Sequence, residues 1–296
     1  MRLRPVLLAG IVAMTVSACD PNAVNIVNGY DDPTLTETTR IGGSLALLPP
    51  PRQKIDIAVY AYADQTGQQK PADNFSRFSK AVTQGGEAIL VDVLKDASGG
   101  RWFNVVERTG LQNLLTERQL IDQSNATYRG TTRSVLPPLR FAGIILEGGI
   151  VAYDSNIKTG GIGARYLGVG GSTKYRQDIV TVALRTVSVS SGEVLNSVTT
   201  EKTVYSTLVD AGVFRFVGVD ELLEIDAGTS ANEPVGIAVR QAMELAVYSL
   251  IVEGAAHGVW KFDDMAEGQA IVHAYRNNGV SFATPPRKQD APADQS

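Results

Sequence analysis

Cys19 is the only cysteine in the 296 residues. It follows Val16-Ser17-Ala18, an apolar run from Val6 to Val16 and a basic start carrying Arg2 and Arg4. A thiol placed directly after a secretory signal with small residues at its end is a substrate for acylation, so residues 1–18 are expected to be a lipoprotein signal peptide and Cys19 the lipid-attachment residue. Asp20 follows it and resembles an inner-membrane retention signal of enteric bacteria, a point that bears on sorting. The other reactive side chains form no constellation. His257 and His273 lack partners at metal-ligand spacing, and Ser190-Ser191-Gly192 and Asp154-Ser155 have no base nearby in sequence. The glycine-rich run from Gly160 to Gly171 lacks both GxGxxG and the Walker lysine and opens no helix. The sequence therefore predicts no enzyme, no cofactor and no metal.

Charge and thiol content narrow the class further. With 27 Lys plus Arg against 31 Asp plus Glu, the net charge of -4 gives no electrostatic reason to bind nucleic acid. One thiol committed to lipid leaves no intrachain disulfide, so stability must come from packing or from assembly. After the signal no apolar run is expected to be a transmembrane helix, which needs roughly 20 residues, but transmembrane strands escape such a test.

The elements that would carry these residues fall into blocks. Residues 19–53 end in Leu47-Leu48-Pro49-Pro50-Pro51 and read as an extended, lipid-anchored leader. Residues 54–152 read as a compact α/β domain. Ile55, Ile57 and Val59 alternate as in a strand, a loop spans 64–80, and Ala81 to Lys95 is helical and stopped by Ser98-Gly99-Gly100. A strand over Arg101 to Glu107, a helix from Leu111 to Ile121, and a largely apolar strand over Phe141 to Ala152 complete it, the last expected to be covered on both faces. Residues 232–265 supply a long helix from Pro234 to Glu253 that should close the same domain, and 266–296 form a tail whose end, from Thr284, has a disordered composition.

Residues 153–231 are different. Gly160, Ile162, Ala164 and Tyr166 share one parity, Tyr175 lies on the return strand, and Leu223 and Ile225 alternate with Leu222, Glu224 and Asp226. The strand from Ser206 to Phe216, taken as outgoing, has no clean parity. Such alternation suits a membrane barrel wall, with Ile162, Ala164, Tyr166, Tyr175, Leu223 and Ile225 facing lipid, and equally an amphipathic surface sheet. An open edge in lipid is costly, so a membrane reading demands a closed ring of identical subunits.

Several stretches resemble a known family. They are Arg101-Trp102-Phe103, Glu107-Arg108-Thr109-Gly110-Leu111-Gln112-Asn113-Leu114-Leu115-Thr116-Glu117-Arg118, Gly160-Gly161-Ile162-Gly163-Ala164-Arg165-Tyr166, Ala211-Gly212-Val213-Phe214-Arg215-Phe216 and Asn232-Glu233-Pro234. From Cys19 to about Phe262 the chain resembles the CsgG family of outer-membrane curli secretion lipoproteins. The resemblance implies an α+β protein with a periplasmic α/β domain and two transmembrane β-hairpins per protomer, here 157–178 and 206–229. About nine copies would form a ring and a barrel of about thirty-six strands. It implies ATP-independent export of unfolded curli-type amyloid subunits, accessory factors at the periplasmic and outer mouths, and contact with outer-membrane lipid.

In that family a loop after the first strand narrows the pore with Tyr, Asn and Phe. Here it reads Asn74-Phe75-Ser76-Arg77-Phe78, and two registers stay open: Asn74 with Phe75, or Arg77 with Phe78. Neither supplies the tyrosine, and Phe75 and Phe78 could instead pack on the domain. The alternative to a channel is a lipid-tethered periplasmic scaffold that never spans the membrane.

Overall fold

The computed structural model describes residues 38–67, 82–130, 136–159, 174–209, 213–217 and 234–280, and from Thr39 onward they belong to one compact unit. In chain order the elements are helix α1 (Arg40–Ala46), strand β1 (Ile55–Asp64), α2 (Gly86–Asp96), β2 (Phe103–Val106), α3 (Leu111–Arg129), β3 (Ile144–Thr159), β4 (Lys174–Ser188), β5 (Val194–Val209), β6 (Val213–Val217), α4 (Pro234–Ala256) and α5 (Met265–Asn278). They build a mixed α/β fold around one sheet of order β2-β1-β3-β4-β5-β6. The β1-α2-β2 crossover and the β1–β3 pair are parallel, whereas β3 to β6 form an antiparallel meander.

The alternation of Ile55, Ile57 and Val59 gives β1 one apolar face, and helices α2 and α4 cover that side of the sheet. Ile57, Val59, Leu146, Ile150, Val180, Val182 and Leu184 are buried there, against Ala242, Met243, Ala246, Val247 and Leu250 of α4. Ala238, Ala242 and Ala246 recur every four residues, so small side chains form one stripe of α4 and let it approach the sheet closely. Thr200 donates through its hydroxyl to the Ala242 carbonyl at 2.7 Å, and the Asn196 amide reaches the Leu250 carbonyl at 3.4 Å. At the end of the sheet where β1 and β2 begin, Trp102, Phe103, Trp260 and Phe262 pack edge to face. Both indole N–H groups are satisfied, by the Pro49 and Ile251 carbonyls.

The structure corrects several expectations. The leader is not extended throughout, because α1 lies within it. Thr39 caps α1 by accepting from the Gly42 N–H, and Ile41, Leu45 and Leu48 are buried in the core. The tail boundary also moves, since α5 starts at Met265 on an Asp264 cap that accepts from the Ala266 and Glu267 N–H groups. Helix α3 runs to Arg129, past the expected Ile121, and none of its residues is fully buried. The apolar strand begins at Ile144, leaving Phe141 outside it and 81% exposed. Among the described residues helices cover only one side of the sheet; the other carries the Arg185–Glu147 ion pair at 2.7 Å and the half-exposed Val151. One helical segment, Val235–Ala256, is after all long and apolar enough to cross a membrane by length and composition, but it is the buried core helix of the body.

Candidate functional site

The functional residues expected from the sequence hang on three places in this body. The first is the root of the loop expected to form the constriction. β1 ends at Asp64, whose carboxylate accepts from the Thr66 N–H at 2.9 Å, the Thr66 hydroxyl at 2.6 Å and, across the loop, the Gln84 amide at 3.1 Å. The Gln65 N–H bonds the Ile150 carbonyl at 2.9 Å, tying the same end of β1 to β3. Both ends of the loop are thereby held at the rim of the sheet. Asn74, Phe75 and Phe78 lie outside the described residues.

Beneath that root sits Tyr62, buried, with its phenol pushed to a higher pKa by burial, and its hydroxyl has no hydrogen-bond partner among the described residues. Space for the ring is made by glycines. A Cβ on Gly148 would stand 2.1 Å from the Ala183 carbonyl oxygen and 3.1 Å from Tyr62, and one on Gly149 would stand 2.6 Å from the Ala63 carbonyl oxygen. These two residues were not singled out by sequence, although a Gly-Gly pair inside a strand pattern signals close backbone approach.

The second place is the root of the first hairpin. The β3–β4 ladder is continuous from Ile144↔Ser188 to Thr159↔Lys174, interrupted by one irregularity between Ile150 and Ala152. Here Asp178 is fully buried, accepting from the Tyr153 hydroxyl at 3.1 Å and from Arg176 Nε at 3.1 Å. The Tyr153 phenol is pushed up to about 12, first by burial and then by the Asp178 charge. A buried carboxylate survives only when paired and hydrogen-bonded, and this one staples β3 to β4 where they leave the helices. Tyr175 is placed opposite Lys158 and Thr207 in the register; Ile162, Ala164 and Tyr166 lie outside the described residues.

The third place is the root of the second hairpin, where the expectation fails in part. Ser206 to Phe216 is not a single outgoing strand: β5 ends at Val209, and β6 returns beside it with Tyr205↔Val217, Ser206↔Phe216 and Val209↔Val213. Asp210-Ala211-Gly212 between them has turn chemistry, which accounts for the missing parity. Leu223 and Ile225 lie outside the described residues, as does Cys19.

The end of the leader is held by helix α4. The Thr39 hydroxyl donates to Glu244, a nearly buried carboxylate of α4, which also takes Arg240 Nε at 3.1 Å. Arg240 extends to Asp92 at 2.8 Å and Asp96 at 3.4 Å on α2. Burial raises the pKa of Glu244 against the lowering pull of Thr39 and Arg240. No group of three or more His, Cys, Asp or Glu suited to a metal occurs among the described residues.

Comparison with known proteins decides the family. The sequence model of the curli production assembly/transport component CsgG matches residues 42–278. The chain belongs to the CsgG family. It is 45% identical over 251 residues to the curli production assembly/transport component CsgG of Escherichia coli (strain K12), covering 84% of this chain and 89% of that one. The corresponding CsgG protein of Salmonella typhimurium is 46% identical over 251 residues with the same coverage. Among solved structures, a PelC dodecamer from Paraburkholderia phytofirmans is 15% identical with a TM-score of 0.27, covering 68% of this chain and 92% of that chain, a likeness too slight to establish a shared fold. The CsgG match runs from within α1 to the end of α5, so the Asp64 clasp and the Tyr153–Asp178–Arg176 staple fall inside it, as does Glu244, whereas Thr39 lies three residues before it.

Proposed function

We propose that this protein is an outer-membrane secretion channel that passes unfolded curli-type amyloid subunits by ATP-independent diffusion through a ring of identical copies. The observation that carries it, beside family membership, is the length of the meander: β3, β4 and β5 hold 16, 15 and 16 residues. Strands of globular proteins commonly have about 5–6. A strand of 16 residues reaches about 50 Å, well past the ground that α4 covers. Thr159 and Lys174 are still paired, so the hairpin 157–178 starts as a direct continuation of the sheet.

In this reading each protomer lends two hairpins to one wall and about nine copies close it, because head-to-tail contact leaves no free edge in lipid. Acylated Cys19 holds each copy at the outer membrane, the α/β body lies in the periplasm, and accessory factors meet the ring at its two mouths. The loop rooted at Asp64 narrows the pore, with Phe75 or Phe78 as the aromatic ring and Asn74 beside it in one register. For the second hairpin, 206–229, to join the wall, the β5–β6 reversal must open and 206–217 must run as one strand.

The reversal also favours a second reading, a lipid-tethered scaffold that keeps its strands folded on the body. Reconstitution separates the two. The lipidated protein in planar bilayers should give discrete conductance steps and migrate as an oligomer in detergent; absence of conductance together with monomer migration would establish the scaffold instead.

A further inference from the structure

Strand β2 forms one edge of the sheet, and β1 is its only ladder partner among the described residues. The register fixes which of its backbone groups are spare. Ile55 donates its N–H to the Trp102 carbonyl and stands opposite Phe103. In a parallel ladder the residues flanking Phe103, and by the same alternation those flanking Val105, bond to β1. The N–H and C=O groups of Phe103 and Val105 therefore point away from β1, and an unpaired edge of this kind is a template for another strand.

This edge does not lie open on a flat surface. It forms the floor of a trough of about 600 Å³. One wall is a single stripe of α2, Glu87, Val91 and Lys95, spaced four residues apart, and the opposite wall is Leu139 and Arg140. Leu114 of α3 also lines it. A groove between a helix stripe and a free edge strand is the arrangement by which some domains take up an extended peptide as an added strand.

The charges in the trough are divided. Where β2 ends, Glu87 accepts from the Thr109 hydroxyl and Glu107 from the Gly110 N–H, so both acids are engaged locally. Arg140 is paired with Asp56, and Arg108 donates to the Glu107 and Arg140 carbonyls. Where β2 begins, Lys54 and Lys95 are exposed and have no ion-pair partner among the described residues. The trough thus offers backbone donors and acceptors, apolar contacts from Val91, Leu114 and Leu139, and two uncompensated cations at one end. The other described edge of the sheet, β6, carries Arg215 in its sequence, so pairing β6 of a second copy here would bring like charges together.

We propose that the trough along β2 binds an extended, acid-bearing segment of polypeptide by strand addition, with the outward groups of Phe103 and Val105 holding its backbone and Lys54 and Lys95 its acidic end. The inference rests on the channel reading, in which the segment belongs to the unfolded cargo, captured on the body before it enters the pore.

The test uses the full lipidated protein in detergent and a dye-labelled hexapeptide of alternating valine and threonine with an added aspartate at each end, read by fluorescence anisotropy. The aspartate probe should bind saturably. A counterpart with lysines in place of the aspartates should bind roughly fivefold more weakly, and a backbone N-methylated version should not bind. Val105→Pro removes an outward donor while leaving the β1 ladder intact, and should weaken binding about tenfold with an unchanged thermal midpoint. Should that variant fail to fold, Lys54→Glu with Lys95→Glu carries the test, by reversing the preference between the two probes. No binding of the aspartate probe, equal binding of the N-methylated version, or an unchanged preference in the charge-reversed variant would overturn the proposal. Conductance of the same preparation keeps the two failures apart. A conducting protein that ignores the probe loses the trough but not the channel, and a protein that binds the probe without conducting loses the channel but not the trough.

Discussion

Single residues at the rim of the sheet set how closely its strands approach. Gly148 is the sharpest case, because the 2.1 Å between a built Cβ and the Ala183 carbonyl oxygen cannot be relieved by turning a side chain. Gly148→Ala should therefore destabilise the body by about 3 kcal/mol, an overpacking cost at its upper range, read as a lower midpoint in chemical unfolding. Tyr62, packed against Gly86 and Gly148, is the ring that such a change would dislodge, together with the loop rooted two residues beyond it. In the proposed pore, Phe75→Ala and Phe78→Ala separate the two registers of that loop. The one that faces the lumen should raise single-channel conductance, and the other should leave it unchanged.

At the scale of elements, the leader and the hairpins are fixed by different polar contacts. The Thr39–Glu244–Arg240 cluster joins α1, α2 and α4, and its carboxylate carries a pKa raised above its ordinary 4.5 by burial. A raised acid contributes stability that is fully present below its unfolded pKa and is lost as pH rises through its folded pKa. Glu244→Gln removes that titration, so the variant's thermal midpoint should gain on the parent's as pH rises through the elevated value. Thermal melts at paired pH values on either side of it check the sign.

How far these elements could be read from sequence follows from their size and environment. β1, the β1-α2-β2 crossover and α4 were legible because Ile55, Ile57 and Val59 and the apolar positions of α4 repeat with clear periods. α1 was not, since seven residues with two glycines show no period; its helix is made by the Thr39 cap and by burial of Ile41 and Leu45. The end of α3 was hidden by polar residues beyond Ile121, in a helix none of whose residues is fully buried. The β5–β6 reversal was visible only as a loss of parity, which marks an irregular place without saying that the chain turns there. For the candidate site, Cys19, Ile162 and Ile225 are expectations from residue type that lie outside the described residues, while the Asp64 clasp and the Tyr153–Asp178 staple depend on contacts between residues 20 and 25 apart.

For the whole molecule, the account requires that a body stable as one unit lend long strands to a wall that exists only between copies. Asp178 marks the division. Below it the ladder is buried under α4, and above it lies the segment proposed to meet lipid. If Ile162 and Ile225 face lipid near the bilayer midplane, Ile162→Arg and Ile225→Arg should each cost about 2–4 kcal/mol of assembly. The readout is a shift from ring to protomer in detergent, with the circular dichroism of the body retained. Unchanged assembly would mean that the assigned parity is reversed. Fractionation bears on Asp20, since retention of all the protein in the inner membrane would remove the outer-membrane pore.

The most direct measurement is electron microscopy of the detergent-solubilised, lipidated protein. The account predicts closed rings of about nine copies, each with a central lumen that fills with stain. Particles of protomer size without a lumen, from protein whose body is folded, would contradict it.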